Sequence, residues 1–385
     1  MSQLDLNLKL FRRVFFALVL TSIIASVLSA SVASQQQNTT LKDAFKKHFL
    51  IGAALNRNQF SEKDMRGVSI ITTQFNTITA ENQLKWQSIH PQPNKYDFEG
   101  GDQFVAFGEK HKMVIIGHTL VWHNQTPKWV FQDENGGRIS RDALLERMRD
   151  HIQTVVGRYK GRIKGWDVVN EAINDDGTMR ESEWQKIIGN DYIERAFKFA
   201  HEADPNAELY YNDYDLEGPP KRKGAIELIK KLKAAGVAIH GVGLQAHSMM
   251  DWPSVAEQEQ TILDFANLGL RVHITEMDLE MLPRKQKNQD AETSSSVTLD
   301  EKWNPYAKGL PDDVSQAQAK RYADLFAVFV KHSDKIDRVT FWGVTDGDSW
   351  LNNWPIRGRT NYPLLFDRTG KPKPAFSAVI QTAGP

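Results

Sequence analysis

Two stretches of this chain share one design, an apolar and largely β-branched run that ends abruptly in a carboxylate. Residues 163–171 end in Asn170 and Glu171, and residues 270–276 end in Glu276. Strands that are covered on both faces read as continuous apolar runs, and polar side chains are tolerated where such strands reach an open end. The two stretches therefore predict buried parallel strands that each deliver a glutamate to one rim, as a pair of working carboxylates.

Six further apolar runs give the same alternation of a short strand, a polar corner and an amphipathic segment. The predicted strands span residues 49–55, 75–80, 113–117, 163–169, 208–211, 239–244, 270–276 and 338–342. Helical periodicity is clear over residues 141–158, 220–235 and 315–332. Strands that alternate with helices in this way predict the α/β fold of a single-domain (β/α)8 TIM barrel, whose chemistry lies at the C-terminal strand ends. A doubly wound open sheet also alternates, but it does not predict polar residues at the ends of nearly all strands.

Residues 1–33 have the features of a signal peptide, with a basic head, an apolar run over residues 14–27 and small residues at 31–33. The run is short for a membrane span, which needs about 20 apolar residues, although an uncleaved anchor stays open as the alternative. Residues 34–40 are a polar lead-in, and the barrel domain is predicted over residues 41–385. The chain is therefore predicted to be exported, either secreted or periplasmic, with no membrane attachment after cleavage.

Two features of the composition exclude whole classes of function. The chain contains no cysteine, which excludes disulfides, thiolate nucleophiles and sulfur-ligated metals. Lysine plus arginine and aspartate plus glutamate each number 48, so the chain lacks the basic excess that is typical of nucleic-acid-binding proteins. We therefore predict a fold that is held by packing alone and a protein that does not bind nucleic acid.

The segment after the seventh predicted strand breaks the alternation. Residues 284–296 are polar and lack apolar periodicity, which predicts a long loop over about residues 284–312. Such a tract cannot bury a core, so the loop is either a solvated insertion without a role or one border of a cleft.

Several histidines raise the question of a metal site. His118 and His123 are five residues apart, whereas ligands on one strand face are two apart and ligands on one helix face are four apart. The chain has no His-Glu-x-x-His sequence, no Gly-x-Ser-x-Gly elbow and no phosphate-cradling glycine loop. We therefore predict no metal and no cofactor, although His247 adds a further imidazole.

The tryptophans have two possible roles. Trp166 lies in the middle of a predicted strand, so we expect it in the core. Trp342 and Trp350 lie where a barrel would open, and a flat aromatic face there could stack on the apolar face of a pyranose ring. A core position is the alternative for both, because large aromatic side chains are mostly buried.

Six motifs, taken in order, resemble the endo-1,4-β-xylanases of glycoside hydrolase family 10. The motifs are residues 79–86 (TAENQLKW), 117–123 (GHTLVWH), 166–172 (WDVVNEA), 243–248 (GLQAHS), 274–278 (ITEMD) and 342–350 (WGVTDGDSW). They fall on predicted strands two, three, four, six, seven and eight, and the resemblance extends from about residue 41 to residue 382. Six ordered motifs are far more specific than any one of them.

The resemblance implies a TIM barrel that cleaves internal β-1,4 bonds of xylan with retention of configuration. Glu171 matches the family's acid/base and Glu276 its nucleophile. The matches to the family's substrate-binding positions are Glu81, Asn82, Lys85, His118, Trp122, Asn170, Gln245, His247, Trp342 and Trp350. The substrate implied is xylan or a xylo-oligosaccharide, no cofactor is implied, and we expect a monomer.

Three supporting residues follow from the same resemblance. Asp278 matches the aspartate that orients His247, and Asp167 matches an aspartate that supports the acid/base. His123 belongs to the same supporting set. Their roles would be to hold the groups that contact the substrate.

The chemistry of glycoside hydrolysis agrees with this assignment. A glycosidic bond needs a proton on its leaving oxygen and stabilisation of a cationic ring carbon, and two carboxyl groups supply both. Glu171 must start protonated and Glu276 ionised, so the charge on Glu276 should hold the proton on Glu171. Once Glu276 is consumed in a glycosyl ester, that charge vanishes, and Glu171 can release its proton and activate water.

Two other functions stay open from the sequence. Related barrel enzymes that hydrolyse cellulose or other β-1,4-glucans also place an asparagine and a glutamate on strand four, although the motifs around Glu81 and Trp350 argue against that function. A non-catalytic xylan-binding barrel is the second alternative. It has no need of a matched acid and nucleophile, whereas both carboxyl groups are present here.

Overall fold

The computed structural model describes residues 39–283 and 300–384, which form a closed parallel barrel. Its strands are β1 (Leu50–Leu55), β2 (Thr77–Ala80), β3 (Val114–Trp122), β4 (Gly165–Asn170), β5 (Glu208–Asp213), β6 (Gly241–Leu244), β7 (His247–Met249), β8 (Arg271–Glu280) and β9 (Ile336–Phe341). β1 pairs with β9 and β6 pairs with β8, which closes eight of these strands into a ring. The short β7 extends the sheet by pairing with the far end of β8. The predicted (β/α)8 barrel is therefore confirmed.

Helices cover the outside of the ring. They are α1 (Leu41–Ala44), α2 (Arg57–Phe60), α3 (Met65–Gln74), α4 (Trp86–Ile89), α5 (Glu99–Lys110), α6 (Arg141–Arg158), α7 (Glu183–Ile188), α8 (Tyr192–Ala203), α9 (Pro219–Ala234), α10 (Val255–Ala266), α11 (Asp312–Lys331) and α12 (Pro374–Thr382). Short 3-10 helices occur at Lys128–Phe131, Glu301–Trp303 and Trp350–Asn352. The helices predicted over 220–235 and 315–332 correspond to α9 and α11, with ends that differ by one to three residues.

Helix α6 shows how the outer layer is built from the sequence. The side chain of its N-cap, Ser140, accepts a hydrogen bond from the backbone amide of Ala143, one of the amides that a helix start leaves without a partner. Leu144, Met148 and Ile152 follow one another at a spacing of four and are fully buried. This apolar stripe packs inwards while the charged residues face out, and the predicted boundaries of the helix are confirmed.

The apolar side chains between strands and helices form one continuous cluster. Trp166 on β4 is 1% exposed, which confirms its predicted core position. Gly117 on β3 lies against this indole, and a Cβ at that glycine would meet a ring atom of Trp166 at 2.1 Å. Because residue 117 is glycine, β3 can lie close to β4 while the Trp166 ring lies between the strands and the helices.

The strand register brings polar side chains together at the mouth of the barrel. Across β3 and β4, His118 is aligned with Asp167, and Trp122 is aligned with Asn170. Across β4 and β5, Asn170 is aligned with Asn212. Because the carboxyl ends of parallel strands meet at one face of a barrel, these residues surround a common space.

Two strands run four or more residues beyond their predicted ends. β3 continues beyond Gly117 to Trp122, and β8 continues beyond Glu276 to Glu280. Each predicted strand ended where polar residues begin. The polar residues beyond that point remain in the sheet because they are buried and paired at the barrel mouth, as the fully buried Asp278 illustrates.

Some predictions fall outside the described residues. They are the signal peptide over residues 1–33, the first part of the lead-in over 34–38, and most of the polar loop, over 284–299. The lead-in ends at Thr40, whose side chain caps α1, and α11 begins at Asp312. In the part of the chain that the structure describes, no helix has the length and apolar character that a membrane crossing requires.

Candidate active site

The two predicted catalytic carboxyl groups lie in the barrel mouth and are joined by two amides. Glu171 directly follows β4, Glu276 lies within β8, and each is 5% exposed. Asn212 Nδ2 donates to Glu276 Oε1 (2.8 Å) and to Asn170 Oδ1 (2.8 Å). Asn170 Nδ2 in turn donates to Glu171 Oε1 (3.1 Å). The structure therefore brings Glu171 and Glu276 together, as the sequence predicted.

Glu276 lies beside a positively charged histidine. His247 Nε2 is 3.3 Å from Glu276 Oε2, and His247 Nδ1 is 3.0 Å from Asp278 Oδ1. Trp350 Nε1 donates to the other oxygen of Asp278 (2.8 Å). Burial disfavours the imidazolium, but the charges and hydrogen bonds of Asp278 and Glu276 outweigh it and raise the pKa of His247 to about 10. The predicted contact between Asp278 and His247 is confirmed.

The same surroundings keep Glu276 ionised. Burial alone would raise the pKa of its carboxyl group. The hydrogen bond from His247, the positive charge of the histidines and the hydrogen bond from Asn212 together outweigh burial, so the pKa of Glu276 lies below its ordinary value. A carboxylate in this state can act as a nucleophile or stabilise a developing cation.

Glu171 contacts neutral donors instead. Trp122 Nε1 donates to Glu171 Oε2 (2.8 Å), and Gln245 Nε2 donates to Glu171 Oε1 (3.0 Å). His123 Nδ1 lies 4.0 Å from Glu171 Oε2, at the limit of an ion-pair contact. Asn170 completes this set of contacts, so four residues predicted for the site meet at one carboxyl group.

The backbone at Glu171 has a left-handed conformation, with φ of +58°. Such a conformation costs roughly 1–2 kcal/mol for a residue with a side chain, and it persists where the surroundings hold it. Here the amide of Glu171 donates to the carbonyl of Asn212 (2.9 Å), and its carbonyl accepts from Arg180 Nε (3.0 Å). Ala246, next to Gln245, has a φ of +56°. Two residues with a left-handed backbone therefore lie at the mouth of the barrel.

Lys85 forms a cationic corner of the mouth. Its Nζ donates to Asn82 Oδ1 (3.2 Å) and to Gln125 Oε1 (2.8 Å). Gln125 Nε2 also donates to Asn82 Oδ1 (3.2 Å). The ammonium lies 4.9 Å from the ring centroid of Trp122, which is a cation–π distance. Asn82, Lys85 and Trp122, all predicted for substrate binding, are therefore neighbours.

The charge of Lys85 faces several carboxylates in this small space. Burial lowers the pKa of Lys85, and attraction to the carboxylates, with Glu276 foremost, offsets part of that effect. Burial also raises the pKa of Glu81, with Lys85 acting in the opposite direction. The mouth therefore combines charges of both signs at low exposure, where electrostatic interactions are strong.

His118 and Asp167 form a buried pair below the rim. His118 Nδ1 is 2.9 Å from Asp167 Oδ2, and both residues are 2% exposed. Arg338 Nη2 lies 3.9 Å from the other oxygen of Asp167. Asp167 precedes Glu171 by four residues on an extended strand, which is about 13 Å, and it is aligned with His118. The support of the acid/base by Asp167, which the resemblance implies, stays a prediction.

Two tryptophans that follow β9 flank this site. Trp342 is 7% exposed and meets His118 edge to face, with ring centroids 5.3 Å apart. Trp350 is partly exposed and stacks on Trp354, with centroids 4.8 Å apart. Trp350 is also 5.0 Å from the ring of His247. Both lie near His247, whose Nε2 faces Glu276, and their contact with a sugar stays a prediction.

Three residues of the site were missed in the sequence. Asn212 joins the two carboxyl groups, Gln125 holds Lys85, and Arg180 holds the carbonyl of Glu171. Asn212 had a signal, because it directly follows the fifth predicted strand as Asn170 follows the fourth. Gln125 and Arg180 lie in loops without periodicity, so no pattern in the sequence marked them.

The geometry divides the work between the two carboxyl groups. An ionised carboxylate next to a cation suits attack on, or stabilisation of, a positively charged carbon, which leaves proton delivery to the other carboxyl group of the pair. The open part of the mouth is lined by amides, a lysine and indole rings. Such a set offers hydrogen bonds to hydroxyl groups and flat apolar faces to rings.

Comparison with known proteins identifies the family of this chain. The model of glycosyl hydrolase family 10 matches residues 40–382. Endo-1,4-beta-xylanase A of Xylanibacter ruminicola is 46% identical over 363 residues, which are 94% of this chain and 98% of that protein.

Solved structures agree with this match. A GH10 endoxylanase from a sugarcane soil metagenome has a TM-score of 0.84 and 48% identity, covering 90% of this chain and 99% of its own. A variant of an intracellular xylanase from Thermoanaerobacterium saccharolyticum, in complex with xylotriose, has a TM-score of 0.77 and 37% identity and covers 88% and 97% of the two chains. The chain belongs to glycosyl hydrolase family 10.

Proposed function

We propose that this chain hydrolyses internal β-1,4-xylosidic bonds of xylan with retention of configuration, through a covalent glycosyl-enzyme intermediate. The family and the xylanase names of its relatives support this function. The observation that carries the assignment of roles is the contrast between Glu276, held ionised next to the His247 imidazolium, and Glu171, held by neutral donors.

In the first step, an oxygen of Glu276 attacks the anomeric carbon while the bond from that carbon to the leaving oxygen breaks. Glu171 transfers its proton to the leaving oxygen, and an ester forms between the sugar and Glu276. Ester formation removes the negative charge of Glu276, which makes it easier for Glu171 to remain ionised after it has given up its proton.

In the second step, Glu171 takes a proton from water, and the water oxygen attacks the anomeric carbon. The ester bond breaks, Glu276 is an anion again, and Glu171 has regained its proton. Two displacements at the same carbon give a product with the original anomeric configuration. The amides of Asn170 and Asn212 connect both carboxyl groups throughout, so both steps use one rigid frame.

We assign Glu81, Asn82 and Lys85 to the sugar on the non-reducing side of the cleaved bond. The contact of Lys85 with Asn82 and the attraction of its charge to Glu276 support this assignment. Trp342 and Trp350 would contribute the aromatic faces for the same sugar. Asn82→Ala should then lower kcat/KM without changing the thermal unfolding midpoint.

A substrate panel tests the function. The enzyme should release reducing sugar from xylan much faster than from carboxymethylcellulose, and proton NMR of the first products should show the β anomer before mutarotation. Faster hydrolysis of carboxymethylcellulose would make the chain a glucanase. Binding to xylan without release from either polymer would make it a non-catalytic barrel, and the α anomer as first product would make it an inverting enzyme.

Export through a cleaved signal peptide over residues 1–33 is a separate part of the proposal. It is supported by the basic head, the apolar run and the small residues of that segment. Mass spectrometry of the protein from its own cells should find a mature N-terminus directly after Ala33, outside the cytoplasm. An intact Met1 in the cytoplasmic fraction would contradict export.

We also propose that the protein is a monomer, and light scattering would test its oligomeric state.

A further inference from the structure

The segment that follows β4 is held by a series of hydrogen bonds to the end of β5. The backbone amides of Glu171, Ala172 and Ile173 donate to three consecutive residues of β5. The acceptors are the Asn212 carbonyl (2.9 Å), the Tyr211 hydroxyl oxygen (3.1 Å) and Asp213 Oδ2 (3.4 Å). Two of these acceptors are side chains, so the contact depends on residue identity and goes beyond an ordinary sheet ladder.

Asp213 is the centre of this cluster and is fully buried. One of its oxygens accepts from the Tyr211 hydroxyl as well as from the amide of residue 173. The other oxygen lies 3.2 Å from Lys221 Nζ and accepts from the amide of Tyr214 (2.9 Å). The Lys221 side chain is 1% exposed, and its ammonium lies 3.3 Å from Asp175 in the loop that follows Glu171.

The opposite side of the same segment is held by Arg180. Its Nε donates to the carbonyl of Glu171 (3.0 Å), and its amide donates to the carbonyl of Ala172 (2.8 Å). Arg180 Nη2 donates to the hydroxyl oxygen of Tyr214 (2.8 Å), whose ring lies under the ammonium of Lys221. The contacts therefore form a closed ring around the backbone of Glu171.

We propose that Asp213, whose charge is neutralised by Lys221, is a positioning residue. It holds the backbone of Glu171 in the left-handed conformation and thereby aligns the Glu171 carboxyl group for proton transfer. The left-handed conformation of Glu171 is strained, and a ring of contacts centred on a buried carboxylate is what holds it. Loss of that anchor would let the Glu171 carboxyl group move away from the leaving oxygen. An error of about 1 Å is enough to slow a proton transfer greatly.

The electrostatics agree with this geometry. Burial raises the pKa of Asp213 to about 6, Lys221 opposes the increase, and the charge of Glu171 adds to it. The negative charges of Asp213 and Glu171 therefore repel each other. Removal of the negative charge at Asp213 should make Glu171 lose its proton at lower pH.

The proposal rests on Glu171 being the acid/base, and leaving groups separate the two questions. Asp213→Asn should lower kcat on xylan roughly 10- to 100-fold, because part of the general acid contribution is lost. With an aryl xylobioside whose phenol departs without a proton, formation of the glycosyl-enzyme should be nearly unchanged. The basic limb of the kcat/KM profile on xylan should move to lower pH.

Asp346→Asn is the matched control. Asp346 is also fully buried, also faces a lysine, with Lys373 Nζ at 3.1 Å, and burial likewise raises its pKa to about 6. It accepts from the amide of Leu364 and lies outside the ring of contacts around Glu171. We expect a comparable loss of thermal stability, a loss of activity that is equal for both substrates, and no movement of the basic limb.

Tyr211→Phe covers the case in which Asp213→Asn does not fold. It removes one hydroxyl group that accepts from the amide of Ala172 and donates to Asp213, so it should give the same leaving-group dependence at a smaller size. Equal slowing of both substrates by Asp213→Asn or Tyr211→Phe, with an unmoved basic limb, would overturn the proposal. If Glu171→Ala itself shows no dependence on the leaving group, the assignment of Glu171 fails instead.

Discussion

Glu171 and Glu276 are equally buried at the rim of one barrel, and they differ in what touches them. Glu276 lies against the His247 imidazolium, which Asp278 holds from behind, whereas Glu171 accepts from the neutral groups of Trp122 and Gln245. Burial is therefore the same for both, and the partners of Glu276 hold it as an anion. We propose that the other carboxyl group delivers the proton to the substrate.

The backbone differs as well. Glu276 lies within the regular strand β8, where the sheet fixes its position. Glu171 lies one residue beyond β4 in a left-handed conformation and depends on contacts from its neighbours. A nucleophile in a strand and an acid/base in a strained turn should respond differently to substitution.

The largest effect should come from Glu276→Ala. Without the nucleophile no covalent intermediate can form, so kcat should fall by roughly 10⁴-fold or more for both xylan and aryl xylobiosides. Added azide should occupy the vacated space and give the α-glycosyl azide. Steady-state kinetics with both substrates and NMR of the azide product check this. Near-normal turnover of the aryl substrate would remove Glu276 from the role of nucleophile.

Glu171→Ala should give a large loss on one substrate and a small loss on the other. Hydrolysis of xylan should fall by about 10²–10⁴-fold because the leaving sugar needs a proton. An aryl xylobioside with an acidic phenol should still form the intermediate, as a burst of phenol in stopped-flow absorbance, and then stall without a base. Azide should restore turnover and give the β-glycosyl azide; an α product would exchange the two roles.

His247→Gln should weaken the difference between the two carboxyl groups. The imidazolium is the main group that keeps the pKa of Glu276 low despite burial, so its loss should raise that pKa. The acid limb of the kcat/KM profile should move up by about 1–3 pH units, while activity near neutral pH falls less. His123→Gln, near Glu171 instead, is the matched control and should leave the acid limb in place. An unmoved acid limb in His247→Gln would mean that the cation does not set the state of Glu276.

The smallest effect should come from Trp122→Phe, which removes one neutral donor from Glu171 while keeping an aromatic ring for Lys85. Loss of one neutral hydrogen bond corresponds to about 1 kcal/mol, or roughly fivefold in kcat/KM on xylan. The aryl substrate should lose less, because it does not need the proton. Kinetics with the two substrates check this, and a 100-fold loss on both would give Trp122 a larger role than that of a hydrogen-bond donor.

Much of this arrangement could be predicted from the sequence because the ends of the strands are marked by a change from apolar to polar residues. Apolar runs that end in polar residues marked the strands, and that pattern alone placed Asn170, Glu171 and Glu276 on one rim. The ends of β3 and β8 were predicted too early, since the pattern stops at the first polar residue. Buried polar residues that pair with each other stay in a strand, and periodicity does not show pairing.

The contacts of side chains could not be read in the same way. The strand register aligns Asp167 with His118, a contact that the sequence did not predict, and the support of Glu171 by Asp167 stays a prediction. Arg180 reaches the carbonyl of Glu171 from a loop, through a contact that depends on the path of that loop in space. A sequence pattern predicts which face of the sheet a residue occupies. It does not predict the partner of that residue across the mouth, because the partner is determined by strand register and loop geometry.

Labelling of the nucleophile tests the central claim most directly. A 2-deoxy-2-fluoro xylobioside with a good leaving group should form the glycosyl ester and hydrolyse it slowly, because fluorine destabilises the cationic transition states of both steps. Peptide mass spectrometry of the inactivated enzyme should then find one sugar attached to the peptide that contains Glu276. A label on Glu171, or complete hydrolysis of the reagent without any covalent adduct, would contradict the account.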